Sequence, residues 1–249
     1  MEHWSIRKPA VHTQGGVVVA QHALAAEAGA KVLARGGNAV DAAIATGFAL
    51  SAVEPWMSGL GGCGFMTVYL ARENRSYALE FGVRAPGALN VNDYPLSTGF
   101  DSDLFAWPGV LENRNVLCPY SDAVPGFVAG LGEAAKRFGT LSWPQLLAPA
   151  IALAEQGLCV DWYSSLKIAS SAADIARFES TRSVYLPEGH VPMGHWAGSP
   201  PVIELKGLAK TLAQLADQGP ASFYQGDLAE RVLADTASVG IGLSAEDLA

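Results

Sequence analysis

The chain has 249 residues, half of them hydrophobic and 16% charged. That composition excludes an intrinsically disordered chain, and the length is enough to bury a sizeable core. A net charge of −8 without a basic stripe argues against a nucleic-acid partner. No window reaches the about 18 uninterrupted apolar residues of a membrane helix.

Residues 1–15 are polar and read as an irregular arm. Met1 to Gln14 carries charges and no apolar stretch, so no signal peptide is expected and the expected location is the cytoplasm. Gly16-Val17-Val18-Val19-Ala20 is β-branched and predicts a strand. His22 to Arg35, rich in Ala, Leu, Glu and Lys, predicts a helix that Gly36-Gly37 stops. Asn38 is placed to cap a second helix, Ala39 to about Val53, with Asp41 favourable in its first turn. Its residues Val40, Ala42, Ala43, Ile44, Ala45, Phe48, Ala49 and Leu50 leave no polar face, which predicts a helix buried all round, Ala43 included.

Glu54-Pro55 ends that helix. Ser58 to Gly64 then holds four glycines in seven residues. It lacks the Lys of a phosphate loop and precedes a strand instead of linking strand to helix, so neither nucleotide fingerprint fits. The glycines imply close backbone approach or positive φ, either under a sheet or along a pocket wall. Phe65–Leu70 and Tyr77–Phe81 predict a hairpin turning over 71–76. Residues 86–120 predict a long ordered loop. Helices are expected from Val124-Pro125-Gly126 to Phe138, from Trp143 to Ala154, near Ser164–Arg177, from Gly207 to Ala216 and from Ala221 to Asp235. A loop is expected over 181–201, and Ser244 with Glu246 and Asp247 marks one more helix start.

Cys63, Cys118 and Cys159 match no zinc or disulfide spacing and are expected to be reduced and mostly buried. His3, His12, His22, His190 and His195 show no metal-ligand pairing, and there is no Gly-x-Ser-x-Gly elbow. By residue chemistry alone the chain is an α+β protein with one unusual glycine loop.

Several segments, in order, resemble the γ-glutamyltransferases (γ-glutamyl transpeptidases). They are Gly36-Gly37-Asn38-Ala39-Val40-Asp41-Ala42-Ala43, Val53-Glu54-Pro55, Ser58-Gly59-Leu60-Gly61-Gly62-x-Gly64-Phe65 and Arg84-Ala85-Pro86. Val124-Pro125-Gly126, Phe138-Gly139-Thr140, Pro149-Ala150-Ile151-x-Leu153-Ala154 with Gly157, Phe223-Tyr224-x-Gly226 and Glu246-Asp247-Leu248-Ala249 follow. The resemblance runs from about residue 15 to the last residue. It implies an N-terminal-nucleophile hydrolase with an αββα four-layer sandwich, of which residues 16–249 would be the helix-rich N-terminal segment of the large subunit.

The family is made as one precursor that cleaves itself before a Thr. That Thr becomes the nucleophile and its own α-amine the general base. The resemblance therefore implies transfer of a γ-glutamyl or related acyl group to water or an amine, as in glutathione breakdown, with no cofactor. It also implies that this chain alone is inactive. Its expected partners are the small-molecule amide substrate, the remaining large-subunit segment and the small catalytic subunit. A non-catalytic remnant or binding module is the alternative.

The family's large subunit donates an Arg to the substrate α-carboxylate. Here Gly82 stands at that position in Gly82-Val83-Arg84-Ala85-Pro86, and Arg84 lies two residues on. Side chains alternate along a strand, so Arg84 would face the same side as residue 82 if the strand persists. Arg84 is thus the candidate substrate-binding residue; its other reading is a surface ion pair.

Overall fold

The computed structural model describes residues 9–100, 105–117 and 119–249. Residues 1–8 of the expected arm, His3, Cys118 and residues 101–104 of the expected loop lie outside them. Residues 9–15 have no regular structure. The core forms around helix α2, Ala39–Val53, against which α1, Ala23–Ala34, packs after the tight Gly36-Gly37 turn.

Asn38 does cap α2. Its side-chain oxygen accepts from the N–H groups of Val40 and Asp41, and Asp41 accepts in return from the Asn38 N–H. Ile44, Ala45, Phe48, Ala49 and Ala52 are fully buried. The exception is Ala43, which is exposed and lies along a groove against residues 66–72. An apolar residue was read there as a core residue, but a methyl group is small enough to sit at the surface at little cost.

Helices α3, Phe127–Phe138, and α4, Trp143–Gln156, complete the packing. The Phe48 ring meets Phe127 and Trp143 edge-on, with centroids 5.3 and 5.4 Å apart. The Trp143 indole N–H donates to the Leu215 carbonyl at 2.9 Å, which fixes α8, Lys206–Gln218, on α4.

Strands β1, Gly64–Leu70, and β2, Arg75–Phe81, form the expected antiparallel hairpin, with Val68 and Leu79 buried beneath it. Its other face exposes Phe65 and Tyr69. Two further two-stranded sheets are present: β3, Leu96–Phe100, with β4, Pro108–Val110, and β5, Leu158–Cys159, with β6, Val202–Ile203. The stretch expected to be loop over 86–120 thus contains a hairpin, which its density of Pro, Gly and Asn concealed.

Other expectations change in detail. Gly16–Ala20 is not a strand among the described residues. Val18 packs on the cluster of Val32, Ala42 and Ala45, while Val17 and Val19 point to solvent, so the alternation of a strand is present without a hydrogen-bonded neighbour. The helix expected near Ser164–Arg177 begins earlier, at α5, Trp162–Ser170, because Asp161 caps it through the Ser164 N–H at 2.8 Å. It breaks at Ser171 before α6, Ala172–Ile175. The expected loop over 181–201 begins inside α7, Glu179–Tyr185, which Pro187 follows. The helix expected from Ala221 begins at α9, Asp227–Ser238, because Gly226 takes φ +87° and interrupts it. Ser244 caps α10, Ala245–Leu248, as its sequence indicates. Cys63 and Cys159 are exposed free thiols, contrary to the expected burial.

Candidate functional site

Two groups of the quoted motifs meet in space, with different consequences. The first is a clamp. Asp41, fully buried, accepts from the Thr140 hydroxyl at 2.5 Å and from the Thr140 N–H at 3.0 Å. The Asn38 amide donates to the Phe138 carbonyl at 2.6 Å. The Gly-Gly-Asn-Ala-Val-Asp segment is therefore tied to Phe-Gly-Thr, at the turn between α3 and α4. Burial pushes the Asp41 carboxyl up. Donation by the Thr140 hydroxyl and by the N–H groups of Asn38, Thr140 and Leu141 outweighs it and holds the carboxyl below its ordinary value. This cluster is structural, because every donor around the carboxylate belongs to the chain's own turns.

The second group lines a cleft of about 690 Å³. Its floor is the start of α3. The Gly126 and Phe127 N–H groups donate to the Gly62 carbonyl at 3.0 and 2.9 Å. The Ala129 N–H donates to the Tyr224 phenol oxygen at 3.0 Å. The first N–H groups of a helix lack intrahelical partners. Here the glycine loop and Tyr224 take three of them, so this helix end is occupied and does not offer an anion site. Burial raises the Tyr224 phenol, and the two backbone donors of α3 partly offset that.

The glycine loop therefore lies against the base of the cleft. Gly59, Gly61, Gly62 and Gly64 all keep φ outside the left-handed region. Close approach is the requirement at Gly126 and Gly130. A Cβ at Gly126 would collide with the Phe81 backbone, and one at Gly130 with the Phe81 ring.

Arg84 lies in this cleft with its side chain exposed. Strand β2 ends at Phe81, so the strand does not persist to residue 84, and the expected common facing of positions 82 and 84 loses its basis. Arg84 instead makes a single antiparallel bridge in which its carbonyl accepts from the Val124 N–H at 2.8 Å. Among the described residues its guanidinium makes no ion pair, so the reading of Arg84 as a surface ion pair is not what the geometry shows. Gly82 has room for a side chain: the nearest atom to a Cβ there is Phe65 Cζ at 3.7 Å.

Asp247, from α10, also reaches the cleft. Its Oδ1 accepts from the Gly87 N–H at 2.7 Å, and its Oδ2 from the Ser244 N–H and hydroxyl at 2.9 and 2.8 Å. The Gly87 and Ser244 donors, with a smaller contribution from the Arg84 charge, hold its carboxyl below the ordinary range. Asp247 and Tyr224 were legible only as parts of motifs. The Ser-x-x-Asp spacing signalled the cap but not the contact with Gly87, 160 residues away.

Glu80 and Glu133 add carboxylates to the rim. The lining holds no Ser, Thr, Cys, Lys or His, and its one hydroxyl is the engaged phenol of Tyr224. Among the described residues Arg84 is the one cationic side chain of the lining, beside the carboxylates of Glu80, Glu133 and Asp247. The lining contains no Ser, Thr or Cys to serve as the hydroxyl or thiol nucleophile of acyl transfer. Among the described residues no three His, Cys, Asp or Glu gather as a metal site.

The fold is that of the N-terminal-nucleophile hydrolases, with this chain forming a helix-rich part of it. Residues 25–249 match the family model for gamma-glutamyltranspeptidase, and the chain belongs to that family. It is 34% identical over 239 residues to glutathione hydrolase 3 of Arabidopsis thaliana, covering 96% of this chain and 34% of that protein. It is 36% identical over 220 residues to the glutathione hydrolase proenzyme of Pseudomonas aeruginosa, covering 88% and 36%. The crystal structure of Helicobacter pylori gamma-glutamyltranspeptidase superposes with a TM-score of 0.82 at 32% identity, covering 96% of this chain and 65% of that one. The chain thus spans about a third of the length of these curated relatives.

Proposed function

We propose that the chain is the N-terminal large-subunit segment of an enzyme that moves a γ-glutamyl or related acyl group to water or an amine. The single observation that carries this reading is the Arg84 guanidinium, without an ion-pair partner among the described residues, in a cleft whose lining supplies no Ser, Thr or Cys. The guanidinium fork makes two parallel charge-assisted hydrogen bonds to the donor's α-carboxylate. That contact fixes one end of the donor and presents its amide carbonyl to a nucleophile from outside this cleft lining. By the family's chemistry that nucleophile is a Thr at the start of the small catalytic subunit, which forms the acyl-enzyme and then releases it to water or an amine. The names of the relatives favour glutathione as donor.

The test is Arg84→Ala in the complete enzyme, assayed with γ-glutamyl p-nitroanilide. Loss of hydrogen bonds to a charged group predicts a rise in KM worth about 1.5–3 kcal/mol, with melting temperature nearly unchanged. Equal kinetics for wild type and variant would remove Arg84 from the site and point to a donor without a free α-carboxylate.

A further inference from the structure

We infer that Asp247 is a positioning residue that aims Arg84 at the donor carboxylate, an inference that rests on the reading of Arg84 above. The segment Arg84-Ala85-Pro86-Gly87 is fastened at both ends by distant parts of the chain. At one end the Arg84 carbonyl accepts from the Val124 N–H at 2.8 Å. At the other the Gly87 N–H donates to Asp247 Oδ1 at 2.7 Å. Pro86, whose ring fixes φ, lies between the two fastenings. The backbone that carries Arg84 therefore has few ways to turn while both bonds hold.

Among the described residues the guanidinium makes no ion pair. Asp247 does not take it as an ion pair among the described residues, although both side chains line the cleft. Instead Asp247 spends its two oxygens on N–H and O–H groups: Oδ1 on Gly87, Oδ2 on Ser244. An aspartate so engaged holds the loop without forming an ion pair with the arginine, whose charge it feels only at a distance. A Glu here would extend the carboxylate by a methylene and move it off the Gly87 N–H.

The arrangement also separates two roles within one side chain. Oδ2 closes the cap of α10 with Ser244, and Oδ1 ties the cleft segment. Ser244→Ala removes the cap hydroxyl and keeps the Gly87 bond. Asp247→Ala removes both. Asp247→Asn keeps an oxygen for Gly87 and sacrifices the Ser244 N–H contact.

The experiment uses the complete enzyme and two donors, γ-glutamyl p-nitroanilide and 4-aminobutyryl p-nitroanilide, which lacks only the α-carboxylate. Asp247→Ala is expected to raise KM for the γ-glutamyl donor roughly tenfold, equivalent to about 1.4 kcal/mol. The same variant leaves KM for the 4-aminobutyryl donor unchanged, and kcat for either donor moves little. Asp247→Asn recovers most of the γ-glutamyl KM, and Ser244→Ala keeps it within about twofold of wild type. In an Arg84→Ala background, Asp247→Ala has no further effect on KM.

Two failures are distinct. If Arg84→Ala leaves the γ-glutamyl KM unchanged, the reading of Arg84 fails. If Arg84→Ala raises KM but Asp247→Ala does not, or shifts both donors alike, or is matched by Ser244→Ala, Asp247 is only a structural cap and the inference is overturned. Should Asp247→Ala not fold, the KM values of Asp247→Asn and Ser244→Ala decide: Asn near wild type together with an unaffected Ser244→Ala supports the tie, and an Asn variant as impaired as Arg84→Ala refutes it.

Discussion

The Thr140 hydroxyl donates to the Asp41 carboxylate at 2.5 Å, across 99 residues of sequence. It joins the N-terminus of the core helix α2 to the turn between α3 and α4. Thr140→Val keeps the shape and removes this donor. The expected loss is about 1.5–3 kcal/mol, the worth of a hydrogen bond to a charged group. Urea unfolding of the purified chain measures it. A variant within experimental error of wild type would mean that the three backbone N–H groups suffice for Asp41.

The same carboxylate makes stability depend on pH. Its folded value lies below the ordinary 3.8, so the folded state binds the proton less readily than the unfolded chain. The stabilisation is then fully present above 3.8 and is lost as the pH falls below 3.8 through the lower folded value. Asp41→Asn should remove this part of the acid-side slope of the unfolding free energy. Denaturation at pH 6 and at pH 3 compares the two proteins; parallel slopes would contradict the assignment.

Helix α2 offers a contrast between two neighbouring alanines. Ala45 is fully buried, whereas Ala43 is exposed. Ala45→Asp buries a carboxylate without a partner at a cost of several kcal/mol, enough to abolish soluble expression. Ala43→Asp stays within about 0.5 kcal/mol, as for an ordinary surface position. Comparing soluble yields and melting temperatures of the two variants checks the facing of the helix. Equal damage from both would mean that position 43 is covered in the folded protein.

Gly130 brings α3 close against Phe81 of the hairpin. A Cβ there meets the Phe81 ring, so Gly130→Ala forces the ring or the helix to shift, at about 1–3 kcal/mol of overpacking. Phe81→Leu in the same chain keeps Cβ and Cγ, two of the three Phe81 atoms the new methyl group would meet, so it should recover little of the loss. Thermal melts of the single and double variants measure it, and full recovery in the double variant would show that the ring beyond Cγ is the obstacle.

The helices around the core were legible because their ends carry local chemistry. Asn38 with Asp41 and Ser244 with Asp247 are capping signals readable in four residues. The Phe65–Leu70 and Tyr77–Phe81 runs showed strand character for the same local reason. What local reading could not reach was tertiary. Asp41 looked like a favourable first-turn charge, and only the fold reveals that Thr140 reaches it. Asp247 carried the same ambiguity, since its second oxygen is used by Gly87. Ala43 failed as a core position because an all-apolar helix carries no mark of which alanine faces out. Gly16–Ala20 shows the alternation of a strand, but a strand also needs a hydrogen-bonded neighbour, which no local pattern supplies. Arg84 was found through its resemblance to a family motif. Its anchoring by Val124, instead of by a continued strand, was not visible in the sequence.

The central claim is that this chain builds a substrate-holding wall while the reacting nucleophile comes from elsewhere in the enzyme. Incubation of the purified 249-residue chain with γ-glutamyl p-nitroanilide tests it most directly. The account predicts no release of p-nitroaniline above the uncatalysed rate, because the cleft lining has no Ser, Thr or Cys to form the acyl-enzyme. Turnover that rises in proportion to the chain and stays with it through successive purification steps would contradict it.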